Sequence, residues 1–404
     1  MANNLLTPLM ITNEAVDLWE NSNAFVQNIS RQYDSAYAVE GAKIGATLRI
    51  RLPSDYVLRT GAAASVQDTN QQSVTLTVAT QQGVDMSFSS QDMTLSMQEF
   101  GPLYIEPAIN VIAGGVATTI MTGSEGQMCN LVSNVDGSGN ILTPTASTIL
   151  QARALLANNS APGGKRMLFV DPITNSRAVS FLAGLFNPAT KISEQYTSGM
   201  VSNALGFDWY EDQTVIKHTT STYSGSLTVN GANQTGNTLV VNAITGGLNV
   251  GDIITIAGVN AVNRITKATT GQARQFTITA AAASGATSLS IFPALIPPTL
   301  AGQQVQYQTV TASPANSAVI TVGTPSASTF RRNFALIPQA VTMVTADLEM
   351  PPNVEASRLV KDSISIRYLQ QFVGLNDQWV RRLDVLYGYL FPRPEWCVII
   401  PDAI

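Results

Sequence analysis

Met167-Leu-Phe-Val-Asp-Pro172 carries two structural instructions in six residues. Its four consecutive apolar side chains describe a short strand buried on both faces. The Asp-Pro pair then describes a helix start. An aspartate oxygen at the N-cap can accept backbone N–H groups, and proline at the first helical position has its φ already set. Val179, Phe181, Leu182 and Leu185 carry that helix onward. Upstream, alanine- and leucine-rich Thr145 to Asn158 reads as another helix. Downstream, Gly199-Met-Val-Ser-Asn-Ala-Leu-Gly206 leads into a strand, Phe207-Asp-Trp-Tyr210. Residues 134–223 therefore read as α/β.

Composition changes abruptly beyond this segment. Residues 221–330 contain one acid, Asp252, and three basic residues, Arg264, Lys267 and Arg274. Short β-branched runs alternate with Gly-rich turns: Leu239-Val-Val241, Ile253-Ile-Thr-Ile256, Phe276-Thr-Ile-Thr279 and Leu289-Ser-Ile291. That pattern predicts a barrel or sandwich inserted into the α/β domain. Beyond Arg331 mixed patterns resume. Ser363 to Tyr368, Arg382-Leu-Asp-Val-Leu-Tyr-Gly388 and Trp396-Cys-Val-Ile-Ile400 are expected strands.

Upstream of the α/β segment, Pro107 opens a helix with Ile109, Ile112, Val116 and Ile120 on one stripe. Continued to Leu131 it would be about 26 residues long, with Gly114 and Gly115 marking close packing or a bend. Its uncharged stretch, 107–123, falls short of the roughly 20 mainly apolar residues of a membrane span. Before it, Leu48, Ile50 and Leu52 alternate with Thr47, Arg49 and Arg51. Val74 to Val78 and Val84 to Phe88 alternate likewise. These outgoing and returning runs suggest a long two-stranded ribbon, marginal alone and so expected to lie on something, such as a neighbouring copy. Residues 1–42, with short helical patterns at 15–19 and 25–29, read as an arm that packs elsewhere.

Of 404 residues 45% are hydrophobic but only 12% charged, about half the usual share. Low charge without low hydrophobicity argues against disorder and for a surface that meets other protein. A net charge of −5 does not suggest a dedicated nucleic-acid binder. The N-terminus lacks a signal-peptide pattern, and Cys129 and Cys397 are too few for a disulfide framework, which fits synthesis in a reducing cytoplasm. His218 is the single histidine, expected as a surface or packing residue, so no His-rich metal site can form. Gly163-Gly-Lys-Arg166 precedes its strand and places Arg166 where a phosphate loop needs a hydroxyl, so it reads as a turn. Glu211 and Asp212, adjacent on a strand, face opposite ways and cannot form an acid–base pair. No catalytic site, metal site or cofactor is expected, and the chain reads as a structural subunit rather than an enzyme.

The order of arm, strand ribbon, long helix, α/β domain and strand-rich return resembles the major capsid proteins of tailed double-stranded DNA phages, the α+β fold named after phage HK97. Met167 to Pro172, Gly199 to Tyr210, and Arg382 to Gly388 with Arg393-Pro-Glu-Trp carry the likeness. Leu248-Asn-Val-Gly-Asp-Ile-Ile-Thr-Ile-Ala-Gly-Val259 is similar to the inserted β-barrel of P22-type coat proteins. The resemblance implies an N-terminal arm (1–42), an extended β loop on a neighbouring subunit (43–95), a spine-helix region (96–133), an axial domain (134–223), an inserted β-barrel domain (224–328) and an axial and peripheral return (329–404).

It also implies pentamers and hexamers closing into an icosahedral virion shell around packaged double-stranded DNA, without sequence-specific DNA contacts or a membrane. Such proteins assemble with a scaffolding protein, here expected as a separate chain, a portal, and in some cases a decoration protein. Some relatives cross-link through a loop lysine. Here Lys43 sits at the loop's base and 44–95 holds no lysine, so a non-covalent shell is expected. Arg49, Arg51 and Arg59 are the candidate inter-subunit contacts. An encapsulin-like compartment shell, or another phage structural protein, is the alternative.

Overall fold

The computed structural model describes residues 8–33, 47–52, 54–58, 61–62, 73–89, 101–182, 203–298, 305–352 and 354–404. The chain divides into two compact units, one of residues 1–50, 73–120 and 341–392, the other of 51–72, 121–340 and 393–404.

The first unit is organised by a 13-residue strand, Gln378–Leu390. It pairs antiparallel with Ile364–Val373, Thr342–Ala346 and Thr80–Ser89. Glu355–Lys361 adds antiparallel to Ile364–Val373, and Ser30–Tyr33 adds parallel to Thr342–Ala346. Helix α1 (Pro8–Ser22) buries Ile11, Ala15, Val16 and Trp19, one helical stripe, and packs on the strands at 355–361 and 364–373. A short α2 (Ala24–Asn28) follows, its first turn capped by Asn23 Oδ1, which accepts from the Phe25 and Val26 N–H groups at 3.0 Å. Over its described residues the arm thus packs on the tail of its own chain.

The ribbon expectation needs correcting in its returning half. Thr47–Arg51 does pair with Ser73–Thr77. Thr80–Ser89, however, lies along Gln378–Tyr387 instead of doubling back on its predecessor. Period-two alternation specifies a strand with one buried face, but not which edge satisfies its backbone. Here a longer strand of the same chain offers that edge. Residues 59–60, 63–72 and 90–95 of the loop, and Lys43, lie outside the described residues.

The expected long helix is α3 (Glu106–Gly123). Ile105, Ile109, Ile112, Val116 and Ile120 are buried within the subunit, although Leu103 to Gly123 is, by length and composition alone, long and apolar enough for a membrane span. It is shorter than expected. Ser124 Oγ bonds back to Met121 O at 2.6 Å, turns follow, and Asn130–Leu131 is a strand rather than a last helical turn. Gly114 and Gly115 leave the helix unbroken, each of their carbonyls accepting a threonine hydroxyl four residues on.

In the second unit Thr329–Leu336 is central, antiparallel to Cys397–Ala403, Met167–Val170 and Lys217–Thr219. Phe207–Glu211 runs parallel to Met167–Val170, and Asn130–Leu131 parallel to Cys397–Ala403. Helices α4 (Ala146–Asn158) and α5 (Pro172–Leu182) cover this sheet, burying Ile149, Leu156, Ala178 and Leu182 on Leu168, Val170, Trp209 and Ile400. Asp171 Oδ1 accepts from Ile173 N–H at 2.9 Å, and Thr145 caps α4 through a reciprocal pair with Thr148. The Gly199 to Ser202 part of the expected helix-to-strand turn, and α5 beyond Leu182, fall outside the described residues.

Between Thr219 and Thr329 the chain forms a ring of six strands in the order Leu227–Thr228, Val319–Val322, Ile253–Val262, Thr269–Ile278, Ser288–Leu295, Gly236–Val240. The ring closes where Asn230 N–H donates to Val240 O and Asn242 N–H to Thr228 O, both at 3.0 Å. Inside lies a separate core including Val229, Leu239, Ile254, Phe276, Ile291 and Leu295. Each such side chain contributes about 1.5–3 kcal/mol relative to exposure.

In the first unit, a Cβ added to Gly388 would stand 2.3 Å from Thr77 O, because the 73–77 strand crosses there. Gly388→Val is therefore expected to lower stability by about 2 kcal/mol or more, read as a drop in the urea midpoint at unchanged slope.

Candidate inter-subunit surfaces and the buried anchor of the barrel

The barrel leaves and rejoins the sheet at one place. Incoming Lys217–Thr219 pairs with outgoing Thr329–Arg331, and the Thr219 and Thr329 hydroxyls lie 3.0 Å apart. Beside this neck sits His218, buried rather than on the surface. His218 Nδ1 is 3.0 Å from Glu125 Oε1, at the end of α3, and Nε2 is 3.0 Å from Asp252 Oδ1, in the barrel. A neutral imidazole would turn a lone pair toward one of these carboxylates, whereas the imidazolium donates to both. Burial opposes that charge, but the hydrogen bonds to Asp252 and Glu125 together outweigh it, and the His218 pKa is raised above its ordinary 6.5. Asp252 also accepts from the Asn249 N–H at 2.7 Å. Arg332, fully buried, donates to Ser124 Oγ at 2.8 Å; burial pushes its pKa down to about 10, which leaves it a cation. Glu125 and Asp252 thus hold His218 between them, with the charge of Glu125 favouring the Arg332 cation. Gly251, at φ +92°, closes the site, since a Cβ there would lie 3.1 Å from both Glu125 Cβ and His218 Cε1.

Two further contacts fix the barrel. The Gln275 carboxamide imitates a strand edge, accepting from Leu131 N–H and donating to Leu131 O, both at 2.8 Å. At the rim Arg264 meets Asp55 at 2.9 Å and Glu395 at 2.5 Å.

Of the candidate contact arginines, Arg51 ends the Thr47–Arg51 strand with its side chain exposed. Arg49 lies on that strand, its side chain outside the described residues, as is Arg59 altogether. The structure does not bring the three into one described cluster. Sequence reading missed several exposed apolar side chains. Tyr56 is 61% and Leu58 90% exposed. Leu375, at the tip of the 364–390 hairpin, is 97% exposed beside the Phe372–Trp379 ring pair. It also missed the His218 anchor, although a lone acid in a nearly uncharged insertion was a signal. Glu211 and Asp212 do face apart: Asp212 is buried on its own turn, Glu211 exposed. Among the described residues no cluster of His, Cys, Asp and Glu could hold a metal ion.

The described residues thus form an α+β subunit with a long helix and an inserted β-barrel closed on itself. Over residues 9–399 the sequence matches the P22 coat protein (gene protein 5) family, and the chain belongs to that family. It is a major capsid protein of a tailed phage, a structural component of the virion that assembles into an oligomeric shell. Among solved structures, a chain of Mycobacterium phage Che8 is 11% identical, covering 94% of this chain and 90% of its own at a TM-score of 0.44. The capsid of cyanophage P-SCSP1u is 10% identical over 94% and 88%, TM-score 0.46. The CUS-3 coat protein I-domain is 36% identical over 24% of this chain and 96% of its own, TM-score 0.21. No curated protein matches in sequence.

The anchor has a pH signature. With the folded pKa of His218 raised, its stabilisation is complete below the unfolded value of 6.5 and fades as pH climbs through the folded one. Urea midpoints should therefore fall from pH 6 toward pH 9 in the wild type, with a smaller fall in His218→Gln. Asp252→Ala, which strands His218 and two backbone donors, should cost about 3 kcal/mol.

Proposed function

We propose that the chain closes, as pentamers and hexamers, into an icosahedral shell around packaged double-stranded DNA, assembled in the host bacterial cytoplasm with a scaffolding protein and a portal. No catalytic step is involved, and cohesion is non-covalent. The observation that carries this reading is the family match along almost the whole chain. Supporting it, only 12% of residues are charged while large apolar side chains stand in the open at Leu58, Tyr56 and Leu375, surface that a neighbouring subunit would cover.

On this reading the extended loop, 43–95, reaches a neighbour through the part that precedes Thr80–Ser89, 96–133 hold the spine helix, 134–223 with the first part of 329–404 sit near the capsomer centre and the tail at its periphery. Arg49, Arg51 and Arg59 meet acidic groups of adjacent copies, each contact worth under about 1 kcal/mol where exposed. The barrel, 224–328, supports subunit folding and contacts across local symmetry axes.

Negative-stain images of the chain co-expressed with its neighbouring genes should show closed, DNA-filled particles with a portal. Tubes or fibres would count against the shell, and cargo enzymes in place of DNA against the phage role. Boiled in detergent, the particles should run as single subunits, a ladder of multimers being the contrary result. Deleting 224–328 should sharply reduce the yield of stable shells.

A further inference from the structure

Within the second unit, α4 and the barrel strands Ile253–Val262 and Thr269–Ile278 face each other across a cleft of about 320 Å³. Among the described residues that line it, Arg274 is the one charged side chain and none is an acid. Arg274 as a whole is only 8% exposed and its Nε has no hydrogen-bond partner. Its Nη2 finds only the Cys129 sulfur, at 4.0 Å. That thiol cannot neutralise it, since burial pushes the Cys129 pKa up to about 11 despite the arginine. Other buried charges of this unit do meet a counter-charge. Asp402, for example, meets Arg177 at 2.9 Å and the Thr174 hydroxyl at 2.7 Å.

A buried cation without a counter-charge is destabilising where an apolar side chain of similar volume would not be. Around it the lining is rich in neutral carboxamides, including Gln151, Asn158 and Gln272. A planar guanidinium with amide donors at the rim suits a carboxylate, held bidentately. A phosphate dianion suits it less, because a single cation would leave half of the charge uncompensated in a partly desolvated cleft.

We infer that this cleft is a binding site for a carboxylate, the Asp or Glu side chain of a second polypeptide, seated on Arg274. The inference adds a ligand to the shell subunit and does not depend on shell geometry.

The test is thermal unfolding of the full-length, unassembled chain in N-acetyl-glutamate amide, compared at constant ionic strength with its neutral isostere, N-acetyl-glutamine amide. The midpoint should rise by about 2 °C per tenfold of the acid above its dissociation constant, and not with the isostere. Arg274→Met should raise the ligand-free midpoint and abolish the response. Gln272→Ala, on the exposed rim, should leave the ligand-free midpoint unchanged and weaken the response severalfold. Equal responses to the two amides, an undiminished response in Arg274→Met, or a stronger response to inorganic phosphate would overturn the assignment. Should Arg274→Met fail to fold, unchanged responses in both Gln272→Ala and Asn158→Leu overturn it equally. Repeating the titration on assembled particles separates the sources. A response lost there points to a neighbouring copy as donor, and one retained points to a separate protein.

Discussion

The hydrogen-bonded neck, Lys217–Thr219 against Thr329–Arg331, is the constraint on which the second unit depends. An insertion of about a hundred residues can leave a sheet only if its ends return to one point, and closing so long a loop is costly for an unstructured chain. The barrel removes that difficulty by folding around its own core, with its ring closed through Asn230 and Asn242. Past the neck the outgoing strand continues as the middle strand of the sheet, so loss of register at Thr329 would propagate to the 397–403 and 167–170 pairings.

The scarcity of charge gives each buried ion a defined task. Glu125, His218, Asp252 and Arg332 join the end of α3, the neck and the barrel. Asp384 gathers Arg367 at 2.7 Å and Arg382 at 2.8 Å in the first unit. Such groups add little net stability over well-packed apolar side chains, but misplacing one leaves an uncompensated charge. They therefore discriminate between registers in a chain whose β-branched, Thr- and Ser-rich strands look much alike. Arg274 departs from that pattern because no acidic partner is built beside it.

Much of the local structure was legible. The Asp171-Pro172 cap, the α3 stripe and the short runs of the insertion follow from periodicity and turn chemistry, which act over a few neighbouring residues. The end of α3 was less so, because a serine back-bond and the edge of the 397–403 strand decide it, not helix propensity. His218, expected as a surface or packing residue, is buried, but its place between two carboxylates was not legible because those partners are 93 and 34 residues away, a separation that sequence patterns do not register.

By itself, then, the sequence determined most of the strands and helices, the all-β segment that interrupts an α/β one, and a composition poor in charge. Those properties reside in side-chain alternation and composition. Tertiary structure alone decided that Thr80–Ser89 joins the tail's sheet, that the barrel is a closed ring, and that His218 lies between two carboxylates while Arg274 lies beside none. Each of these is a choice of partner, made by competition among distant backbone edges and buried charges, and no local pattern encodes its outcome.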